Sequence, residues 1–208
     1  MTLQNEKLEF LIKSSIFDRP RALVLLPEYL EFDDNDLASS IPTKFLKEDI
    51  EAFRYGVKWI RGYRFYIGRI YCIDIKGVSG QIIRIRLKSI YRIRRKLLGE
   101  KYVNIVNALF RYYFNDISRR YVELFQENQP FEILGVKVNS DGVLFDQRIG
   151  RISWDFLGTR RFRRYYTIFS ETDANCYKTF EYLDQWNAAV LHSVLETILK
   201  LKYPQKKF

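Results

Sequence analysis

Seven basic residues fall between positions 84 and 96 of this chain. Arg84, Arg86 and Lys88 alternate along one stretch, and Arg92, Arg94, Arg95 and Lys96 follow at once. A second group, Arg160, Arg161, Arg163 and Arg164, lies in the other half. Like charges at this density repel one another, and folding alone does not ask for them. Lys and Arg neutralise phosphates, with a steep salt dependence, and they attract anionic lipid head groups by ~1 kcal/mol per residue near a surface. An acidic patch on a partner, or on the second half of the chain, is a third use. A solvated face balanced by N-terminal acids is the fourth. The whole chain carries +10, yet Phe53 to Lys101 holds 14 Lys and Arg against Asp74 and Glu100, a net +12 that leaves −2 for the remainder. Tyr63, Tyr66, Tyr71 and Tyr91 stand nearby and would suit base stacking. With aromatics at 16% such neighbours also arise by chance, and no RNP-type run or helix-turn-helix signature accompanies them.

Catalytic groupings are sparse. His192 is the one histidine, and a general base needs a positioned partner and a cleft, so it is read as a helix residue at the edge of the core. No Ser or Cys stands in a GxSxG motif, and neither GxGxxG nor GxxxxGK[ST] occurs. Asp33, Asp34 and Asp36 invite comparison with a Ca²⁺ site, which takes about six to eight oxygen ligands. The spaced glycine and distal glutamate of an EF-hand are missing, so a solvated acidic turn is expected. Glu48, Asp49 and Glu51 are expected to pair with arginines on a sheet. Cys72 and Cys176 have no CxxC spacing and fall short of the ~four ligands of structural zinc. They are read as free, buried thiols in a reducing compartment. The expectation is no catalytic residue, no metal, no cofactor and no enzyme.

The elements that must position these residues emerge from changes of period. Leu23 to Leu26, Tyr29 to Phe32, Phe45 to Leu46 and Ile50 to Trp59 read as strands. Arg64 to Lys76 reads as another, with Gly68 marking a bend or bulge. Gly77-Val78-Ser79-Gly80 is a turn signal. Beyond it Ile83, Ile85 and Leu87 alternate with Arg84, Arg86 and Lys88. Tyr102, Ile105, Val106, Leu109, Phe110 and Tyr113 then form an amphipathic helix stripe. Ile117, Tyr121, Leu124 and Phe125 form a second one after Asn115-Asp116, either of which would cap it, and this stripe needs a surface to cover it. Past the polar Gln126 to Pro130, Ile133 to Val138 and Val143 to Phe145 flank a turn at Asn139 to Gly142. Arg151 to Phe156, Arg161 to Phe169 and Tyr177 to Tyr182 are further strands. Asp184 is expected to cap a final helix with Leu191, Val194, Leu195 and Ile198 on its apolar face.

The fold class expected is α+β, mostly β: two small antiparallel barrels or sandwiches, each closed by a C-terminal amphipathic helix. Residues 1–128 form the first domain, with an N-terminal extension and a connector helix, and residues 129–208 the second, smaller one. A weak internal match, Glu48-Asp49-Ile50 then Phe53-Arg54-Tyr55 against Trp154-Asp155-Phe156 then Arg161-Phe162-Arg163, suggests duplication. No run approaches the ~18 apolar residues of a membrane-spanning helix. Met1 to Phe10, with Glu6 and Glu9, lacks the apolar core of a signal peptide, so a cytoplasmic location is expected by elimination.

Several antiparallel strands closed by one helix resembles the pleckstrin-homology superfold, and the chain looks like two such modules in tandem, similar to bacterial pleckstrin-like proteins of unknown function. The likeness covers roughly Arg21 to Phe114 and Phe131 to Lys202. It implies a bent barrel plugged by its helix. The basic residues that phosphoinositide-binding members carry around the first hairpin are absent here, where Leu30 to Asp36 is acidic, so the likeness implies the fold and not that ligand. The functional expectation is a non-enzymatic interaction module for an unknown protein or peptide. The alternative is an anionic ligand, a lipid head group or a nucleic acid, bound through the basic strand and loop 84–96 with Arg160, Arg161, Arg163 and Arg164.

Overall fold

Alternation of apolar and polar side chains lays down the strands of this protein, and β-branched and aromatic residues make up nearly half of them. The computed structural model describes residues 6–13, 19–34, 41–145 and 150–205. Its contacts divide into two compact units, Met1–Phe114 and Asn115–Phe208. In the first unit β1 (Leu8–Ile12), β2 (Arg21–Leu25), β3 (Tyr29–Phe32) and β4 (Thr43–Leu46) form an antiparallel sheet in sequence order. A 3-10 turn, Lys47–Asp49, leads into a second sheet of β5 (Ile50–Arg61), β6 (Tyr66–Gly77) and β7 (Ile82–Ile90). Helix α1 (Arg95–Leu109) follows and runs into a π-helical turn, Phe110–Phe114.

The second unit opens with α2 (Asn115–Gln126). Its four-stranded sheet is β8 (Phe131–Ile133), β9 (Val136–Asn139), β10 (Gly142–Leu144) and β11 (Arg151–Ser153). A 3-10 turn, Trp154–Phe156, precedes β12 (Leu157–Arg161), β13 (Tyr165–Ser170) and β14 (Tyr177–Glu181), and α3 (Ala188–Lys202) ends the unit. The protein is therefore mostly β with antiparallel sheets throughout. Among the described residues the four sheets are separate, and no ladder closes a pair of them into a barrel. No helix is long and apolar enough to cross a membrane.

The core of the first unit lies on one face of β5–β6–β7. Cross-strand rows Phe53–Ile75–Ile83, Tyr55–Ile73–Ile85 and Val57–Tyr71–Leu87 present apolar side chains there, and α1 packs on β6 and β7 to cover them. The Phe53 ring stacks on Phe114 with centroids 3.4 Å apart and meets Phe110 edge-on at 5.5 Å. The Tyr71 and Tyr102 rings meet at 5.1 Å. The Tyr113 hydroxyl lies 2.5 and 2.7 Å from the carbonyl oxygens of Leu26 and Tyr29, tying the helix end to the β2–β3 turn. At Gly68 an added Cβ would fall 2.4 Å from the Ser89 carbonyl oxygen, so β7 can approach β6 this closely only beside a glycine.

Several expected boundaries move, for identifiable reasons. The helical run begins at Arg95 and is unbroken through Gln126, so Asn115 and Asp116 lie inside it and cap nothing. The units part at Phe114 and not near position 128. The stripe on α2 packs within the second unit, with Tyr121 against Phe131 at 5.1 Å and Phe125 against Trp154 at 5.4 Å, and α2 also lies against α3. The expected strand Ile133–Val138 is broken by Leu134 and Gly135, whose φ values of 56° and 72° form a tight turn between β8 and β9. The expected strand Arg161–Phe169 is interrupted at its start by the hairpin tip at residues 162–164, and Tyr165 to Phe169 of it lie in β13. Residues 154–156 are a 3-10 turn and not the end of a strand. Asp184 does not cap α3; Asn187, in left-handed backbone, precedes it without a side-chain cap bond. The strand β1 was not anticipated, because its outward positions include the apolar Leu11 beside Glu9, which blurs the alternation.

Phe53→Ala removes the ring on which Phe110 and Phe114 pack, leaving a cavity that the surrounding strands cannot fill. It should cost about 3–5 kcal/mol, read as a lowered urea midpoint. A change below about 1 kcal/mol would mean that the ring stack is not a principal support of the fold.

Candidate functional site

The period-two register of β7 sends its basic residues away from the core. Ile83, Ile85 and Leu87 are buried, Arg84 and Lys88 are exposed, and Arg86 is half-buried. On that outer face the cross-strand rows are Arg54–Asp74–Arg84, Gly56–Cys72–Arg86 and Lys58–Ile70–Lys88. Asp74 is only 1% exposed. Arg54 Nε lies 2.9 Å from one of its oxygens and Arg86 2.5 Å from the other. Arg86 also donates to the carbonyls of Ile73 and Ile85 at 3.2 and 2.9 Å. Two of the cations on this face thus neutralise a buried carboxylate. Burial pushes the neighbouring Cys72 thiol up, against the pull of Arg86, so it is not a thiolate nucleophile. Glu51 pairs with Lys76 at 3.0 Å.

The loop after β7 is built differently. Tyr91, Arg92 and Arg94 have φ of 49°, 62° and 53°, a left-handed backbone that costs a non-glycine residue about 1–2 kcal/mol. Local bonds hold it. The Ser89 hydroxyl donates to the Ile93 carbonyl at 3.0 Å, and the Tyr91 amide donates to the Ile67 carbonyl at 2.7 Å. Arg94 precedes α1 with no side-chain cap bond, and the first turn of the helix contains no acid. The positive end of the helix dipole therefore faces Arg92, Arg94, Arg95 and Lys96, an unfavourable arrangement without an anion. Among the described residues, no ion pair involves any of these four.

An open depression of about 800 Å³ lies beside this loop, lined by Tyr71, Arg92, Arg95, Lys96 and Glu100 among others. A smaller one, about 510 Å³, shares Arg92, Arg95, Lys96 and Glu100 and adds Arg94. Glu100 is the one carboxylate that lines either. The Tyr71 hydroxyl reaches toward the Arg95 carbonyl at 3.4 Å. Chemically the site offers guanidinium forks and an ammonium at the positive end of a helix, which suit a phosphate or carboxylate.

The run from Arg84 to Lys96, continuous in sequence, is thereby divided. Arg84, Arg86 and Lys88 stand on the outer face of the sheet, while Arg92, Arg95 and Lys96 share a depression with Tyr71, whose side chain points to the opposite, helix-covered face. Arg54 and Lys58 join the outer group and were missed. Their signal was the pairing register, which one strand alone does not reveal. Arg160, Arg161, Arg163 and Arg164 belong to the second unit, at the β12–β13 tip. The Arg160 guanidinium lies 5.6 Å from the Phe162 ring centre and, with Tyr165, Phe169 and Tyr177, lines a depression of about 390 Å³.

His192 is buried within α3 and has partners that were not foreseen. Its Nε2 lies 2.8 Å from Glu196, and its Nδ1 lies 3.4 Å from the Tyr182 hydroxyl. The Tyr166 ring sits 4.6 Å from the imidazole. Burial pushes His192 down, opposed by Glu196, and burial pushes the Tyr166 hydroxyl up. None of the three depressions is lined by this cluster. The acidic turn also has structural partners. Asp33 binds Arg19 at 2.5 and 2.8 Å, which holds its carboxyl below the usual range. Asp34 accepts from the Thr43 hydroxyl at 2.8 Å. Asp36 lies outside the described residues. Among the described residues no cluster of three or more His, Cys, Asp or Glu is placed to hold a metal ion, and both cysteines are buried and outside any disulfide. Compared with protein-family models, curated proteins and solved structures, the chain matches none.

Two outcomes follow from these contacts. Asp74→Asn leaves Arg54 and Arg86 without their anion, but both side chains are about a third exposed and can turn to water. The loss should be about 1–3 kcal/mol by urea unfolding, well short of a fully buried pair. His192, depressed in the folded state, is protonated first in the unfolded chain. Stability should therefore be full above the unfolded value of about 6.5 and fall as pH drops below it. In thermal melts His192→Gln should flatten that decline. An unchanged slope would remove His192 as its source.

Proposed function

We propose that this protein is a non-catalytic binding module whose ligand is an anion of the phosphate type, held in the first unit at the start of α1 by Arg92, Arg95 and Lys96. The observation that carries this reading is the gathering of four cations, free of ion pairs among the described residues, at the positive end of a helix beside an open depression. An anion there relieves the repulsion, satisfies first-turn amides and makes charge-assisted hydrogen bonds of about 1.5–3 kcal/mol each. The left-handed Tyr91 and Arg92 backbone, which has no counterpart before α3, fits a loop shaped for a ligand. The protein or peptide partner expected from the sequence stands second, because the charge of the depression selects for an anion.

We also infer that each unit is a pleckstrin-like module and that the chain arose by duplication. In support, each unit runs through four strands, a 3-10 turn, three strands and a helix. The residues before the two 3-10 turns, Leu46 and Ser153, have nearly identical backbone angles. A left-handed residue, Arg94 or Asn187, precedes each closing helix. The turns place Lys47–Asp49 against Trp154–Phe156, one residue away from the match read in the sequence. Two buried cysteines outside any disulfide fit a reducing compartment.

Titration calorimetry of the intact chain with inositol hexakisphosphate, a soluble polyphosphate, tests the anion reading. Affinity should fall steeply between about 50 and 200 mM salt. The combined Arg92→Ala, Arg95→Ala and Lys96→Ala variant should lose at least about tenfold, while Arg160→Ala with Arg163→Ala should change little. Binding indifferent to salt, or intact in the triple variant, would defeat it.

A further inference from the structure

The β5–β6 hairpin runs on past the end of β7. The last β6–β7 pair is Gly68 with Ile90, whereas β5 and β6 continue to the pair of Arg61 with Tyr66. The projecting tip, Arg61-Gly62-Tyr63-Arg64-Phe65-Tyr66, is closed by a bond from the Gly62 amide to the Phe65 carbonyl at 2.7 Å. Tyr63 is 91% exposed, and Phe65 and Tyr66 are 65% exposed. Rings this large are seldom left at a turn without a use. The bond from the Tyr91 amide to the Ile67 carbonyl sets the β7–α1 loop at the same end of the sheet. That loop and the first turn of α1 add exposed Tyr91, Ile93 and Leu97 beside Arg92, Arg94, Arg95 and Lys96. Trp59, partly exposed, braces the base of the tip. Its ring lies 5.6 Å from that of Tyr66, and the buried Arg69 sits 4.4 Å over it. No acid occurs from Ala52 to Ile73.

We infer that this end of the first unit docks on an anionic lipid bilayer. Tyr63, Phe65 and Tyr66 enter the head-group layer, and Arg61, Arg64 and the loop cations lie against the lipid phosphates. The inference rests on the anion reading of the β7–α1 loop and deepens it by fixing the ligand as a membrane surface. Aromatic rings of mixed polarity settle at the membrane–water boundary, and basic residues beside them add attraction to anionic lipids. A single-stranded nucleic acid would use the arginines and rings. It has no use for the aliphatic Ile93 and Leu97 set among the cations, and stacking proteins present a groove, where this surface presents a protruding tip. The second unit marks the contrast. Its β12–β13 tip carries Phe162 among arginines, but the loop before α3 holds Asp184, whose carboxyl beside Glu181 pushes that group up. A bilayer would repel that loop.

Sedimentation of the intact protein with vesicles tests this. Vesicles of equal parts phosphatidylcholine and phosphatidylglycerol should carry it down, and phosphatidylcholine alone should not. Tyr63→Ser with Phe65→Ser, both exposed and remote from the core, should weaken vesicle binding by about tenfold or more while leaving inositol hexakisphosphate binding unchanged. Binding of the polyphosphate without binding of vesicles would overturn the membrane inference and leave the anion reading standing. Tighter binding of a single-stranded oligonucleotide, lost in the same variant, would overturn it in favour of nucleic acid. Vesicle binding unaffected by the two serines would overturn the role of the tip. Binding of neither probe would remove both readings.

Discussion

Phe53, Ile75 and Ile83 stand in one cross-strand row and Arg54, Asp74 and Arg84 in the next, because successive residues of a strand must point to opposite faces. This alternation across β5, β6 and β7 organises the first unit. It commits one face to aromatic and aliphatic side chains, which then require α1 and the π-helical turn as a cover. It commits the other face to arginine and lysine. A shift of one residue in the β6–β7 pairing would put Arg84, Arg86 and Lys88 under the helix, a burial of charge that no available partner offsets. Register and charge are therefore one constraint, and the alternation fixes which cations face water.

The two groups of arginines then solve different problems. Arg54 and Arg86 close over Asp74, so part of the outer charge is internal to the fold. Among the described residues, no carboxylate forms an ion pair with Arg92, Arg94, Arg95 or Lys96. They stand where the helix dipole is already positive, on a backbone that Tyr91, Arg92 and Arg94 hold in the left-handed region. Each of these features alone is tolerable in a folded protein. Their coincidence in six residues is a local cost that packing does not explain, and local costs of this kind accompany binding.

Legibility in the sequence followed the contrast between faces. The β7 alternation was plain because its two faces differ in polarity, and the helix stripe from Tyr102 was plain for the same reason. The start of α1 was hidden, since four of the seven residues from Arg95 to Lys101 are charged, Gly99 lies among them, and the helix begins where the Ser89–Ile93 bond and left-handed Arg94 turn the chain. The Leu134–Gly135 turn was hidden because leucine gives no turn signal. The charge of the loop could be counted, but its separation from Arg84, Arg86 and Lys88 needed the register. The tip from Arg61 to Tyr66 was harder still, because tyrosine and phenylalanine favour strands, so exposed rings at a turn read as more strand.

The second unit shows which of these features the fold itself demands. It has its own four and three strands, its 3-10 turn at Trp154–Phe156, a hairpin tip closed by the Phe162 amide on the Tyr165 carbonyl at 2.9 Å, and a left-handed residue before its helix. The backbone device at the helix start is therefore shared. The side chains placed on it are not. Where the first unit sets Arg92, Ile93, Arg94, Arg95 and Lys96, the second sets Asp184, Gln185, Trp186 and Asn187. Two helices begun in the same way, one behind a loop of cations and one behind a loop with an acid and no cation, separate folding from use. The left-handed residue before the helix belongs to the architecture; the left-handed Tyr91 and Arg92, and the charge laid there in the first unit, do not.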